Sequence, residues 1–320
     1  MNRDDELAHV LALLMTPEVG AVRIHAARTL ARREGVSLEE MLRWPKRTIA
    51  TRAGDLYEDY PELWNHWCDQ RLIDAREMLD AMDRIEVATV LHGEPDYPAS
   101  MATAMQTEAP PLLFMLGAPE LASTAMLAVV GATNPSPTGL AVAGTCARWG
   151  VSRALGVVSG GAKGVDTEAH ESALSANGHT VMVIPEGIGF RKLSAQEVQG
   201  VRSGRVAILS AFPPYASWSA RQAVMRNGMI SALARMACVV EPHRPHGSAR
   251  AGRCALRQGL PVYVLPALAG DVQGIAHGLF MEGARPLLNN HGRVDTDAMD
   301  EALRHGGTSC QMQLFGDQNV

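Results

Sequence analysis

Two short glycine-rich stretches carry the residues best suited to hold an anion. The first is Gly131-Ala132-Thr133-Asn134-Pro135-Ser136; the second is Ser159-Gly160-Gly161-Ala162-Lys163-Gly164-Val165-Asp166. Each follows a short apolar run, at residues 127–130 and 156–158, and each leads into a segment of helical character. A strand that ends in a glycine turn and feeds a helix offers backbone N–H groups and the positive end of the helix dipole, which suits a phosphate. Thr133 and Ser136 bring hydroxyls. Ser136 before Pro137 also reads as an ordinary helix N-cap, and the two roles are compatible. Lys163 adds a point charge at the C-terminal edge of an expected parallel strand, where α/β sheets bind ligands. Asp166 reads as a cap for the following helix. His170 lies one turn further on, where a place on the binding face and a packed or solvated place are equally open.

These turns need a framework. A third apolar run spans residues 180–184, so strand, turn and helix repeat at the spacing of βαβ units. Near-continuous apolar runs are the mark of parallel strands buried on both faces. Further strands are expected at residues 87–91, after Pro110-Pro111, and at 206–210, 237–241 and 262–266. The predicted fold class is α/β: a Rossmann-like, doubly wound, mainly parallel sheet with a small N-terminal helical domain. The expected division is residues 1–85 as a helical domain of helix-hairpin-helix (SAM-like) type, 86–293 as the Rossmann-like domain, and 294–320 as a polar tail. In the N-terminal part, Pro17-Glu18-Val19-Gly20 separates two helices. This resembles a helix-hairpin-helix turn, but a plain helical hairpin is the favoured reading, since Glu18 would repel a phosphate. Residues 58–84 read as helical, with Trp64 and Trp67 in the core.

Composition sets outer bounds. A chain of 320 residues with 47% hydrophobic and 20% charged residues is that of an ordinary globular protein. The net charge of −5 argues against indiscriminate coating of nucleic acid but leaves room for a local basic patch. Five scattered cysteines without a CxxC pair fit neither a disulfide framework nor a zinc site, and suggest a reducing compartment. The start is charged and unlike a signal peptide, and no run is long enough for a membrane span. The expectation is a cytoplasmic protein with no membrane partner, no metal, no cofactor and no catalytic residue.

The ordered motifs carry a family resemblance. They are Gly93-Glu94-Pro95-Asp96-Tyr97-Pro98, then Pro110-Pro111 leading to Leu113-Phe114 and Gly117, then the two glycine turns with Ala169-His170. Arg226-Asn227, Val239-Val240-Glu241, Gly247-Ser248 and Gly283-Ala284 follow. In this order they resemble the DNA-processing protein DprA (Smf) family over roughly residues 7–290. The resemblance implies a non-catalytic protein that binds single-stranded DNA, acts in DNA uptake during natural transformation, loads a RecA-type recombinase and forms a homodimer through its Rossmann domain. It implies that Lys163 holds a DNA phosphate, and it places Gly131, Thr133, Ser136, Ser159, Gly160, Gly164, Arg226, Asn227, Gly247 and Ser248 at the nucleic-acid site. Arg226 is expected to contact a phosphate or form a buried ion pair. Asn227 is expected to order the turn. Thr133 and Gly228 stand where the family pattern has arginines, and residues 190–195 replace a Tyr-Pro segment with Phe190-Arg191-Lys192-Leu193-Ser194-Ala195. Arg191 and Lys192 read by default as solvated loop charges, with compensation for Thr133 as the other reading; Lys163, Arg191, Lys192, Arg226, Arg250 and Arg253 together would build a positive face.

Near the end, Gln311, Leu314 and Phe315 form a Gln-x-x-Leu-Phe pattern that resembles the peptide bacterial proteins insert into the sliding clamp. A tail folded on its own core is the other reading. With the chain ending at Val320, the winged-helix domain of some family members is expected to be absent. Two other functions use the same turns. One is a nucleotide sensor, for example in phage defence. The other is a nucleotide N-glycoside hydrolase, with Glu168 as the acid that acts on the ribose.

Overall fold

The computed structural model describes residues 2–243, 247–267 and 274–305. The chain divides into two compact units. The first comprises Met1–Leu116, Glu186–Lys192 and Leu209–Ser217; the second comprises Gly117–Pro185, Leu193–Ile208 and Trp218–Val320. The first unit thus continues through the strand-like segments that follow residue 85.

In the first unit, helices α1 (Arg3–Leu14) and α2 (Ala21–Glu34) are followed by α3 (Leu38–Leu42), α4 (Lys46–Arg52), α5 (Asp55–Asp59), α6 (Glu62–Asn65) and α7 (Asp69–Arg84). Ser37 caps α3 by accepting from the Glu40 N–H, and Gly35 ends α2 in the left-handed conformation, as a C-terminal glycine does. Residues 58–84 are not one helix. The chain breaks at His66-Trp67-Cys68, and the Trp67 ring stacks on the buried His9 ring with centroids 5.7 Å apart. Strand β1 (Val87–Leu91), helix α8 (Ala99–Met105) and strand β2 (Leu112–Gly117) follow; β1 pairs antiparallel with β2 from Val87↔Leu116 to Leu91↔Leu112. Between them, Tyr97 is buried and donates its hydroxyl to the Pro110 carbonyl at 2.9 Å, which fixes the turn-rich segment to the proline pair.

The second unit is the Rossmann-like part. Its elements are β3 (Met126–Gly131), α9 (Pro137–Ser152), β4 (Gly156–Ser159), α10 (Val165–Ser175), β5 (Thr180–Val183), α11 (Ala195–Arg202), β6 (Val206–Ser210), α12 (Ala220–Leu233), β7 (Ala234–Val240), α13 (Ser248–Arg257), β8 (Val262–Leu265), α14 (Ile275–Met281), β9 (Arg285–Pro286) and α15 (Thr296–His305). Strands run in the order β6-β5-β4-β3-β7-β8-β9. Strand β3 pairs in parallel with both β4 and β7. The β4–β5, β7–β8 and β8–β9 pairs are parallel too. From β3 the chain builds outward to β4, β5 and β6, then returns to lay β7 on the other side of β3. The topological switch point therefore lies between β3 and β7. Open α/β sheets bind ligands outside the carboxyl ends of the strands at such a point.

Segment 294–320 is not polar throughout. Helix α15 sets Met299 and Ala302 into the same buried cluster as Leu127, Trp149 and Tyr263. Asp300 on its other side accepts from Trp149 Nε1 at 3.1 Å and pairs with Arg153 at 2.6 Å. The apolar stripe is two or three residues wide and flanked by charge, so average polarity conceals it. Gln311, Leu314 and Phe315 lie outside the described residues. No helix among the described residues is long and apolar enough to cross a membrane.

Candidate nucleic-acid interface

The two glycine turns meet. Gly131 closes β3 in register with Val240 of β7. The Val165 N–H, at the start of α10, donates to the Ala132 carbonyl at 3.1 Å. Gly164 has φ +81°, and a Cβ there would stand 2.6 Å from both the Ala132 and the Thr133 carbonyl oxygens. Glycine is required at this position on both counts, conformation and space. The sequence thus brings both turns into one surface at the carboxyl ends of β3 and β4.

The interior of that surface is already charged. Glu241 directly follows β7, adopts φ +49° and is 1% exposed. Its carboxylate accepts from the Ser136 backbone N–H at 2.8 Å and from the Ser136 hydroxyl. The Ser136 oxygen in turn accepts from the Gly139 N–H at 3.0 Å, as an N-cap does. The chain's own carboxylate therefore sits at the positive end of α9, where a bound anion would otherwise be favoured. Sequence reading gave Glu241 no such role. Its signal is a single acid directly after the apolar run 236–240 of β7.

The second turn has a matching arrangement. Asp166 is buried and its Oδ2 accepts from the Ala162 N–H at 3.3 Å. Burial pushes the Asp166 carboxyl up, while the Arg226 guanidinium and the Ala162 N–H pull it back. Arg226, from α12, donates to the Val183 carbonyl at 3.3 Å. Its Nη1 and Asp166 Oδ2 face each other across Gly160, where an added Cβ would meet them at 1.4 and 2.7 Å. Ser159 is fully buried and donates its hydroxyl to the Val129 carbonyl at 2.6 Å, so its side chain links β4 to β3 and does not reach solvent. Asn227 is buried and donates to the Gly247 carbonyl at 3.1 Å, tying α12 to the start of α13.

What remains open is the rim. Gly131, Ala132, Thr133, Asn134, His243, Gly247 and Ser248 line a cleft of about 330 Å³ at the switch point between β3 and β7. Thr133 and Asn134 are exposed, and α13 begins at Ser248 without a side-chain cap. Lys163 is exposed, forms no ion pair among the described residues, and directly precedes the glycine packed on Thr133. Of the other anticipated cations, Arg250 is exposed, Arg253 pairs with Glu282 at 2.8 Å, and Arg191 pairs with Glu186 at 3.2 Å within the first unit.

Two neighbouring side chains are committed elsewhere. His170 is buried and hydrogen-bonded through Nδ1 to the Thr180 hydroxyl at 2.6 Å. Glu168 accepts from the Ser172 hydroxyl at 2.8 Å and lies over Gly144 of α9. Among the described residues, one group of potential metal ligands lies within 4.8 Å of one another: Asp5, His9 and Glu39 in the first unit. Both carboxylates there already face arginines, Asp5 with Arg76 at 2.9 Å and Glu39 with Arg43 at 3.5 Å.

Comparison with known proteins decides the family. The family model for DNA recombination-mediator protein A matches residues 88–296. The chain belongs to this family. That agrees with the DprA resemblance carried by the ordered motifs. Protein Smf of Escherichia coli (strain K12) is 31% identical over 188 residues, 56% of this chain and 48% of that protein. DNA processing protein DprA of Streptococcus pneumoniae is 31% identical over 180 residues, 56% of this chain and 64% of that protein. The matched region thus spans about half to two-thirds of the length of these curated relatives. The X-ray structure of the Streptococcus pneumoniae DprA superposes with a TM-score of 0.68 at 21% identity, covering 92% of this chain and 97% of that one. A Helicobacter pylori DNA processing protein A, described for its single-stranded DNA binding mode, superposes with a TM-score of 0.55 at 22% identity, covering 69% and 97%. At these identities the superpositions establish the shared Rossmann-like fold.

Proposed function

We propose that this chain binds single-stranded DNA through its phosphate backbone and breaks no bond in it. The observation that carries the reading is the exposed Lys163, with no ion pair among the described residues, at the rim of two glycine turns packed together at the carboxyl ends of β3 and β4. Phosphates would lie against Lys163, the backbone at Gly131–Thr133 and the uncapped start of α13 at Gly247 and Ser248. Ser136, Ser159, Gly160, Gly164, Arg226 and Asn227 would act beneath them, by holding the turns in place. Membership of the family and the single-stranded DNA binding described for the Helicobacter pylori protein support the choice of ligand.

The biological setting proposed is that of the family resemblance: a cytoplasmic homodimer acting in DNA uptake and natural transformation, which hands DNA to a RecA-type recombinase. A sliding-clamp contact through Gln311, Leu314 and Phe315 belongs to the same proposal. Binding of purified clamp to a peptide of residues 306–320 tests it, and unchanged anisotropy at high micromolar clamp ends it. A filter-binding titration with a poly-dT oligonucleotide at low salt tests the main reading. Saturable binding is expected, and no retention at micromolar protein would sink it.

A nucleotide sensor is the second reading, favoured by the cleft, whose volume lies in the lower range of small-ligand sites. Calorimetric binding of a nucleotide, with no binding of the oligonucleotide, would select it. Hydrolysis of an N-glycoside is disfavoured because Glu168 is held over α9 by Ser172 rather than presented at the turn.

A further inference from the structure

Trp218 is 60% exposed and immediately precedes Ser219, the N-cap of α12. An apolar residue at that place ordinarily folds onto the fourth residue of the helix. Here that residue is Ala223, too small to cover an indole. Met225 is 45% exposed and Arg221 is exposed as well. Arg221 and Met225 stand four residues apart on α12 and so share a face, directly after the tryptophan.

Charge narrows what this surface fits. Residues 198–240 contain no Asp or Glu; of their five arginines, Arg221 and Arg226 lie on α12 after the tryptophan, while Arg202, Arg205 and Arg235 stand at the amino edge of the sheet, before β6 and at the start of β7. In a chain of net charge −5 this is a segment of opposite sign. Helix α12 begins two residues after the exposed tryptophan, so its positive dipole end adds to Arg221 in its first turn. The same helix carries Arg226, which lies across Gly160 in the turn that bears Lys163. Trp218 and Arg226 are separated by roughly 10–12 Å along the helix. A chain of phosphates held at the lysine turn would bring its bases within reach of that distance.

We propose that Trp218, flanked by Arg221 and Met225, is a stacking platform for an unpaired nucleobase of the bound strand. The proposal rests on the DNA-binding reading above and adds a base contact to its phosphate contacts. An indole offers a flat π-face to any base, a guanidinium adds a cation beside it, and a methionine fills the edge with soft, adaptable surface. Such a contact tolerates every sequence, because every base has a π-face. It also separates single strands from duplex, whose bases are stacked on one another.

The test uses the full chain and two fluorescently labelled oligonucleotides of equal length, poly-dT and an abasic deoxyribose-phosphate chain. Wild type is expected to bind poly-dT more tightly than the abasic strand by roughly 5- to 150-fold, the range for stacking one base on an aromatic side chain. Trp218→Ala is expected to remove that preference and leave abasic binding unchanged, while Trp218→Phe keeps most of it. Lys163→Ala is expected to weaken both strands by the same factor. If Trp218→Ala binds poly-dT as wild type does while Lys163→Ala loses both strands, the platform is refuted and the phosphate reading stands. If wild type binds neither strand, both readings fall. A shift in oligomeric state for Trp218→Ala, with its base preference intact, identifies the surface as a contact between copies of this chain and overturns the proposal.

Discussion

The Glu241 carboxylate, at the end of β7, accepts from both the backbone N–H and the hydroxyl of Ser136, the N-cap of α9. This contact joins the two strands that flank the switch point. It also neutralises the helix end to which a generic glycine-turn reading would assign a phosphate. The anion at the start of α9 is therefore the chain's own carboxylate.

Ser136→Ala is accordingly expected to act on stability. It removes an N-cap and one of the hydrogen bonds of a buried carboxylate, at a cost of about 1–3 kcal/mol. A urea titration measures it. An unchanged midpoint with weakened DNA binding would reassign Ser136 to the ligand.

Arg226→Ala is expected to leave Asp166 buried without the cation facing it across Gly160. Removing one partner of a buried pair costs about 3–5 kcal/mol, and the lower end applies because Arg226 is partly exposed. Asp166→Asn in the same chain should restore part of the loss. Full stability of the single variant would show that Arg226 serves the ligand instead.

The strand–turn–helix units were legible because buried parallel strands are nearly pure apolar runs. Residues 127–130 and 156–158 fall on β3 and β4, and 180–184 covers β5 and the residue after it. Lys163 was legible for the opposite reason, as a charge in a glycine turn. Glu241, Asp166 and Arg226 were harder. Their meaning depends on which strand returns beside β3, and strand order is not written in any local pattern. Helix α15 was missed because its buried stripe of Met299 and Ala302 is short and surrounded by charge.

Gly164→Ala tests the packing of the two turns. A side chain must adopt φ +81° and meet two carbonyl oxygens at 2.6 Å. The backbone conformation alone costs about 1–3 kcal/mol, and the collision adds to it. A lower melting temperature and weaker oligonucleotide binding are expected together. A variant that melts like wild type contradicts the packing.

The first unit is expected to weaken in mild acid. Burial lowers His25, and burial followed by the neighbouring His25 lowers His92, both from an ordinary value of 6.5. The folded chain resists protonation that the unfolded chain accepts, so stability is full above that value and falls as pH drops below it. Urea midpoints between pH 7.5 and 5.5 follow this, and His25→Gln with His92→Gln should flatten the profile. An unchanged slope in the double variant would place the acid sensitivity elsewhere.

The most direct test of the account is the salt dependence of poly-dT binding by wild type and Lys163→Ala. Each neutralised phosphate on a single strand contributes a slope of about −0.7 in log K against log salt. The variant is expected to bind more weakly at low salt, with a slope shallower by about 0.7. Equal affinity and equal slope for the two proteins would contradict the central claim that Lys163 holds a phosphate at the joined turns.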